Sequence, residues 1–160
     1  MRRGVVFLKE LVPRRLIAWV ARVAYQEPYQ AVRMDHAWQL GLTMGVQFRL
    51  ASYDWRMGGR WHRLGAVADG EPALPVPGSQ AEFTVEHYWG YTAQRDGSTL
   101  EYSVQHAPWR VWKAHTAILE LDAGLTYGSE WADLLKSPPT AILIAEGSPV
   151  AVYPGQRLSP

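Results

Sequence analysis

The chain has 160 residues, 48% of them apolar, and its 16 basic and 15 acidic side chains leave a net charge of +1. So even a balance gives no electrostatic footprint for nucleic acid or an anionic membrane surface. The absence of cysteine excludes disulfides, thiolate metal sites and cysteine nucleophiles together.

The length fits a single domain, 1–160, that buries about two thirds of its unfolded surface. Lys9-Glu10 interrupts VVFL before a secretory apolar region can form, and no apolar run approaches a bilayer span, so a cytoplasmic address is expected. Trp and Tyr number 8 each against 3 Phe. Rings with polar tips suit half-buried strand faces and pocket walls.

Residues 4–9, GVVFLK, read as a strand. Pro13 opens a helical pattern to about Tyr25, with Leu16, Trp19, Val20 and Val23 at i, i+3, i+4, i+7 spacing, and Pro28 closes it. From residue 29 the pattern is mostly strands. Val46, Phe48 and Leu50 alternate with Gln47 and Arg49, and Gly58-Gly59 offers a two-residue turn that sets Trp55 against His62 and Asp54 against Arg63. DGEPALPVPGS, 69–79, reads as a surface loop. Residues 110–121 form a long central strand and 129–136 a short helix with Ser129 as its cap; AILIA and PVAVY are two further strands. The class is α+β, mainly antiparallel β with one main helix, barrel-like in pattern.

HYWGYTAQRDGSTLEYSVQHAPWRVW, 87–112, carries most of the functional expectation. With Asp96-Gly97 as a two-residue turn, Tyr91 faces Tyr102, Trp89 faces Val104 and His87 faces His106, all on one side. Two directly opposed imidazoles lie roughly 5 Å apart at Cβ. They could exchange a proton, form a hydrogen-bonded structural pair or supply two metal ligands, although no third ligand stands at suitable spacing. Arg22, alone among apolar helical neighbours, either clamps a carboxylate or snorkels outward. Arg33 has the same choice with less to commend it. Glu86 lies on the opposite strand face from His87. No GxSxG, HExxH, P-loop or dinucleotide motif occurs.

Three stretches together resemble the uncharacterised bacterial YqjF-like family, a domain of unknown function placed in the acetoacetate-decarboxylase-like superfamily. They are RRGVVFLKELVPRRLIAWVARVAYQEPYQAVRM, EFTVEHYWGYTAQRDGSTLEYSVQHAPWRVW and AEGSPVAVYPGQRL. The resemblance implies a bent antiparallel sheet forming a cone or incomplete barrel around a hydrophobic pocket. It also implies that family members carry further sequence before GVVFLKEL. On that reading the chain is N-terminally truncated, and its open sheet edge invites a homo-oligomer. The decarboxylase's Schiff-base lysine pair falls near Tyr29-Gln30, neither able to form an imine. Lys9 and then Lys113 are the substitutes.

The expected function is a small-molecule-binding domain for an oxo acid or other carbonyl compound. Trp89, Tyr91 and Tyr102 would wall its pocket, and His87, His106, Arg22 and Tyr29 would supply polar points. The alternatives are an acetoacetate-decarboxylase-like enzyme using the histidines as acid and base or Lys9 as nucleophile, and a fragment inactive without a partner chain. No metal or cofactor is expected, and no nucleic acid or membrane partner.

Overall fold

Tight turns set the register between β3 (Met34–Thr43), β4 (Val46–Met57) and β5 (Arg60–Asp69), three of the long strands of this protein. A computed structural model describes residues 3–158. The fold is α+β and mainly antiparallel β, with a strongly curled sheet, one main helix and short helices. The chain divides into two units: Met1–Ala31, Pro75–Trp109 and Gly147–Pro160 in the first, Val32–Leu74 and Arg110–Glu146 in the second.

The second unit is a five-stranded sheet. Its order is β3 (Met34–Thr43), β4 (Val46–Met57), β5 (Arg60–Asp69), β8 (Val111–Glu120) and β9 (Leu143–Ala145). Met44-Gly45 and Gly58-Gly59 make its two tight turns, all four residues at positive φ as a type I′ turn requires. The second turn yields the expected register, Trp55 opposite His62 and Asp54 opposite Arg63. Arg63 forms an ion pair with Asp54 at 2.6 Å.

On the buried face, Ala51, Ala66 and Ala68 leave room for Trp112 and Ile144. Trp112 donates its indole N–H to the Gly70 carbonyl at 3.0 Å, and the Arg49 guanidinium covers its ring at 4.1 Å. The sheet shifts register between Val67 and Ala68, where a bulge adds bend. A short helix, α3 (Ala123–Tyr127), is capped by Asp122, whose carboxylate accepts from the Leu125 N–H at 2.9 Å. The helix expected over 129–136 is instead two 3₁₀ turns, Ser129–Trp131 and Leu134–Lys136.

The first unit pairs β6 (Trp89–Ala93) with β7 (Thr99–Gln105), whose other edge takes β10 (Ala151–Val152) and β11 (Gln156–Leu158). The strand expected at 4–9 is reduced to a single bridge, Val5 with Gly90; the strand proper is β1 (Glu10–Val12), parallel to β2 (Tyr29–Ala31). Between them the expected helix runs as α1 (Arg15–Val20) and continues as a π-helical turn, Ala21–Tyr25. Between the loop read at 69–79 and the β6–β7 hairpin lies α2 (Gln80–Val85), a helix the sequence reading does not name, where Ser79 Oγ accepts from the Glu82 N–H and Glu82 accepts from the Gly78 N–H.

His62 is 2% exposed and stacks on Trp55 at 5.6 Å. The Asp122 N–H donates to its Nδ1, leaving Nε2–H for the Met57 carbonyl, both at 3.2 Å. His62→Phe keeps the stacking surface but leaves the Asp122 N–H without its acceptor and takes one donor from the Met57 carbonyl, so urea unfolding should show a loss of about 1–3 kcal/mol. An unchanged midpoint would contradict that role.

Candidate functional site

The β6–β7 hairpin does not close on Asp96-Gly97 as a two-residue turn. Gln94 N–H donates to the Ser98 carbonyl at 2.8 Å and Gly97 N–H donates to the Gln94 carbonyl at 3.1 Å, so the loop is three residues, Arg95 to Gly97. Only Gly97 takes positive φ, at 85°. Asp96 remains at negative φ and uses its carboxylate to accept from both Ser98 N–H (3.1 Å) and Ser98 Oγ (2.6 Å). Arg157 pairs with its other oxygen. These contacts hold the Asp96 carboxyl below the usual carboxylate range, the Ser98 hydrogen bonds contributing most.

The register therefore shifts by one residue: Trp89 faces Ser103, Gly90 faces Tyr102, Tyr91 faces Glu101 and Thr92 faces Leu100. Opposed residues share a face, so the shift turns β7 over relative to the expectation. Tyr102 parts from Trp89 and Tyr91 and joins Thr92. The Tyr91 hydroxyl donates to Glu101 across the other face at 3.0 Å.

The shift also separates the two histidines. His106 stacks between Tyr88 at 4.8 Å and Trp109 at 4.2 Å, with the Ala107 carbonyl 2.8 Å from its Nδ1. His87 lies edge-on to Phe83 at 5.9 Å, with Nδ1 buried and unbonded among the described residues. Burial, reinforced by the Arg3 charge, lowers the His87 pKa, while Glu86 opposes that. Glu86 accepts from the Tyr88 hydroxyl and the Trp109 N–H, so the HAPW turn is an aromatic stack tied to one carboxylate. That hydrogen bond, ahead of burial, pushes the Tyr88 hydroxyl up to about 12.

The face that gains Thr92 and Tyr102 gains an acid as well. At the end of the π turn Gln26 adopts left-handed geometry, φ 56°, and the Glu27 N–H returns to the Ala21 carbonyl. The hairpin grips this corner: Gln94 Nε2 donates to the Tyr25 carbonyl and the Arg95 N–H donates to Gln26 Oε1. Glu27 is thereby aimed inward and is 5% exposed. Its Oε1 accepts from the Tyr102 hydroxyl at 2.7 Å and from the Thr92 hydroxyl. Among the described residues, Oε2 receives no hydrogen bond.

Glu27 lines a cavity of about 540 Å³ that is otherwise apolar. Leu16, Ile17 and Val20 come from α1, Tyr25 from the π turn, Tyr29 from β2 and Tyr102 from β7, with Phe7, Val104, Val150 and Val152 completing the wall. Tyr25 meets Tyr102 edge to face at 5.6 Å. Beside Tyr29 in the β1–β2 ladder stands Glu10, which accepts from the Tyr29 hydroxyl. Burial chiefly, with the Glu27 charge adding, raises the Glu10 carboxyl above its ordinary range against the Tyr29 hydrogen bond. The same order of causes, burial before a carboxylate partner, raises the Tyr29 and Tyr102 hydroxyls, so both remain donors.

Of the residues expected to bind or react, only Tyr29 and Tyr102 line this cavity. Trp89 and Tyr91 lie on the opposite hairpin face. Arg22 is exposed and donates back to the Ala18 carbonyl of its own helix at 3.3 Å. Lys9 is half-buried beside Glu10 and outside the lining; Lys113 is exposed in the second unit. No lysine, arginine or histidine lines the cavity among the described residues. Nor does any group of three or more His, Asp or Glu stand where it could hold a metal ion among them. Sequence reasoning missed Glu27, Glu10 and Tyr25 as a group, because nothing in the local pattern joins positions 10, 27 and 102.

Two outcomes follow. Tyr102→Phe removes one of the two donors to a buried carboxylate and should cost about 1–3 kcal/mol in urea unfolding. The folded state holds the Glu10 proton more tightly than the unfolded chain, so this group stabilises at acid pH and the contribution is lost as pH rises through its raised folded value. Glu10→Gln should therefore unfold later than the wild type at pH 7, with the difference shrinking by pH 4. A difference independent of pH would contradict this.

A family model described as "Uncharacterized conserved protein (COG2071)" matches residues 1–149. No curated protein and no solved structure matches the chain. The YqjF-like family that the sequence resembles is the same family. The chain belongs to the DUF2071 family.

Proposed function

We propose that the first unit is a receptor for a small, largely apolar molecule, seated in the cavity between α1 and the sheet face bearing Tyr102 and Val104. The observation that carries this is a cavity of about 540 Å³ with an apolar wall and one buried carboxylate in it. Pockets of this size, apolar with few convergent polar groups, are the usual form of small-molecule sites. A cavity left without an occupant forgoes dispersion contacts on one side, so a ligand that fills it gains them.

The oxo-acid expectation draws no support from the wall. Among the described residues, a ligand carboxylate would meet Glu27 with no lining cation to offset the repulsion, and no lysine lines the cavity to form an imine. A mainly antiparallel, curled fold with an apolar cavity favours kinship with the acetoacetate-decarboxylase-like superfamily, while the lining favours binding over that enzyme's chemistry.

Ile17 and Val152 line the cavity but are 45% and 52% exposed, so larger side chains there have room to form without disturbing the fold. The neutral dye Nile red should bind the wild type at one equivalent. Ile17→Trp and Val152→Trp should weaken it about tenfold, ~1.4 kcal/mol, with unfolding midpoints close to wild type. Equal dye affinity in all three proteins would overturn the proposal.

A further inference from the structure

Resting on that reading of the cavity, we infer that its ligand is an amphiphilic amine, an alkyl- or arylalkyl-ammonium. The charged head lies against Glu27 among Tyr25, Tyr29 and Tyr102, and the apolar tail along α1. Two independent features of the wall select this class.

The first is the carboxylate. Glu27 is 5% exposed and both of its hydrogen bonds fall on Oε1. An ionised carboxylate can accept at about four lone-pair sites. Oε2 thus remains an acceptor at the cavity wall, with no hydrogen bond among the described residues. A carboxylate taken out of water without a cation carries an effective penalty of several kcal/mol. Here no basic residue lines the cavity among the described residues, and Arg22 is exposed and bonded to its own helix. Glu10 adds a second carboxyl behind Tyr29. A ligand cation supplies what the wall lacks, whereas an anion would meet the Glu27 carboxylate.

The second feature is aromatic. Three tyrosine rings, from the π turn, β2 and β7, line the same cavity as Glu27. The negative ring face attracts a cation within about 6 Å, and cages of such rings are the common means of holding substituted ammonium groups. The hydroxyls of Tyr29 and Tyr102 are engaged with Glu10 and Glu27, which leaves ring surface as their contribution to a ligand. Opposite them Phe7, Leu16, Ile17 and Val20 offer only hydrocarbon.

The test is displacement of Nile red from the full chain at pH 7 by three probes of one tail length: n-octylammonium, 1-octanol and octanoate. Octylammonium should displace at about a tenfold lower concentration than octanol, a difference of ~1.4 kcal/mol, and octanoate should be the weakest. In Glu27→Gln, ammonium and alcohol should fall within about twofold of each other. The ranking on the wild type stands even if that variant does not fold. Octanol equal to ammonium, octanoate the strongest, or no displacement by ammonium overturns the amine assignment and leaves the cavity reading standing. Failure of Nile red itself to bind removes the cavity reading and this inference with it.

Discussion

A three-residue loop decides which side chains of the first unit can meet. Because Asp96 spends its carboxylate on Ser98 and only Gly97 takes the left-handed conformation, the hairpin closes at Gln94 and Ser98. Every pair beyond it follows from that closure. Thr92 and Tyr102 then share a face and point two hydroxyls at one buried carboxyl oxygen. Were the loop one residue shorter, Tyr102 would lie beside Tyr91, and Glu27 would be buried with one donor fewer.

The carboxyl in turn explains the shape of the chain around it. A π turn, a left-handed Gln26 and a proline at position 28 are unusual features to place in succession, and together they swing Glu27 inward from the end of a helix. Gln94 and Arg95 reach from the hairpin to hold that corner. The clasp joins segments 65 or more residues apart in sequence, so it is a tertiary constraint rather than a local one. A half-satisfied polar cluster in an apolar wall costs more than an apolar wall. This one has its Thr92 and Tyr102 hydroxyls satisfied and, among the described residues, one acceptor in reserve, and the proposed preference for a cation rests on that reserve. The second unit relies on different means: tight glycine turns, small alanines and an indole tied to Gly70.

What could be read from the residues depended on whether local chemistry allowed one answer. Gly58-Gly59 did: two glycines both accept positive φ, and the register of Trp55 with His62 follows. Asp96-Gly97 allowed two, because an aspartate either enters the left-handed region or caps the loop with its side chain, and only the tertiary partners, Arg157 and the helix corner, distinguish them. The helix was legible from its apolar spacing, but its widening to π geometry at Ala21 was not. VVFL reads as a strand because it is apolar and β-branched, yet among the described residues only Val5 finds a backbone partner there, bridging Gly90. Helix α2 was hidden by its proline-rich approach, although Ser79 and Glu82 stand at the capping spacing. Tyr29 and Tyr102 are legible as contacts from their ring chemistry, and the acid beside them, Glu27, is not.

The most direct test of this account is the set of cross-strand Hα–Hα contacts in a proton NMR spectrum. Gln94 with Ser98 and Tyr88 with Val104 are hydrogen-bonded positions, so Tyr91 with Glu101 and Trp89 with Ser103 are the non-hydrogen-bonded pairs, whose Cα atoms approach to about 4.5 Å. Strong Hα–Hα cross-peaks are expected for those two pairs. Strong cross-peaks linking Thr92 with Glu101 and Gly90 with Ser103 instead, the non-hydrogen-bonded pairs of a two-residue turn at Asp96-Gly97, would move the register by one residue, return His87 and His106 to one face, and take from Glu27 the donor on which the cavity is built.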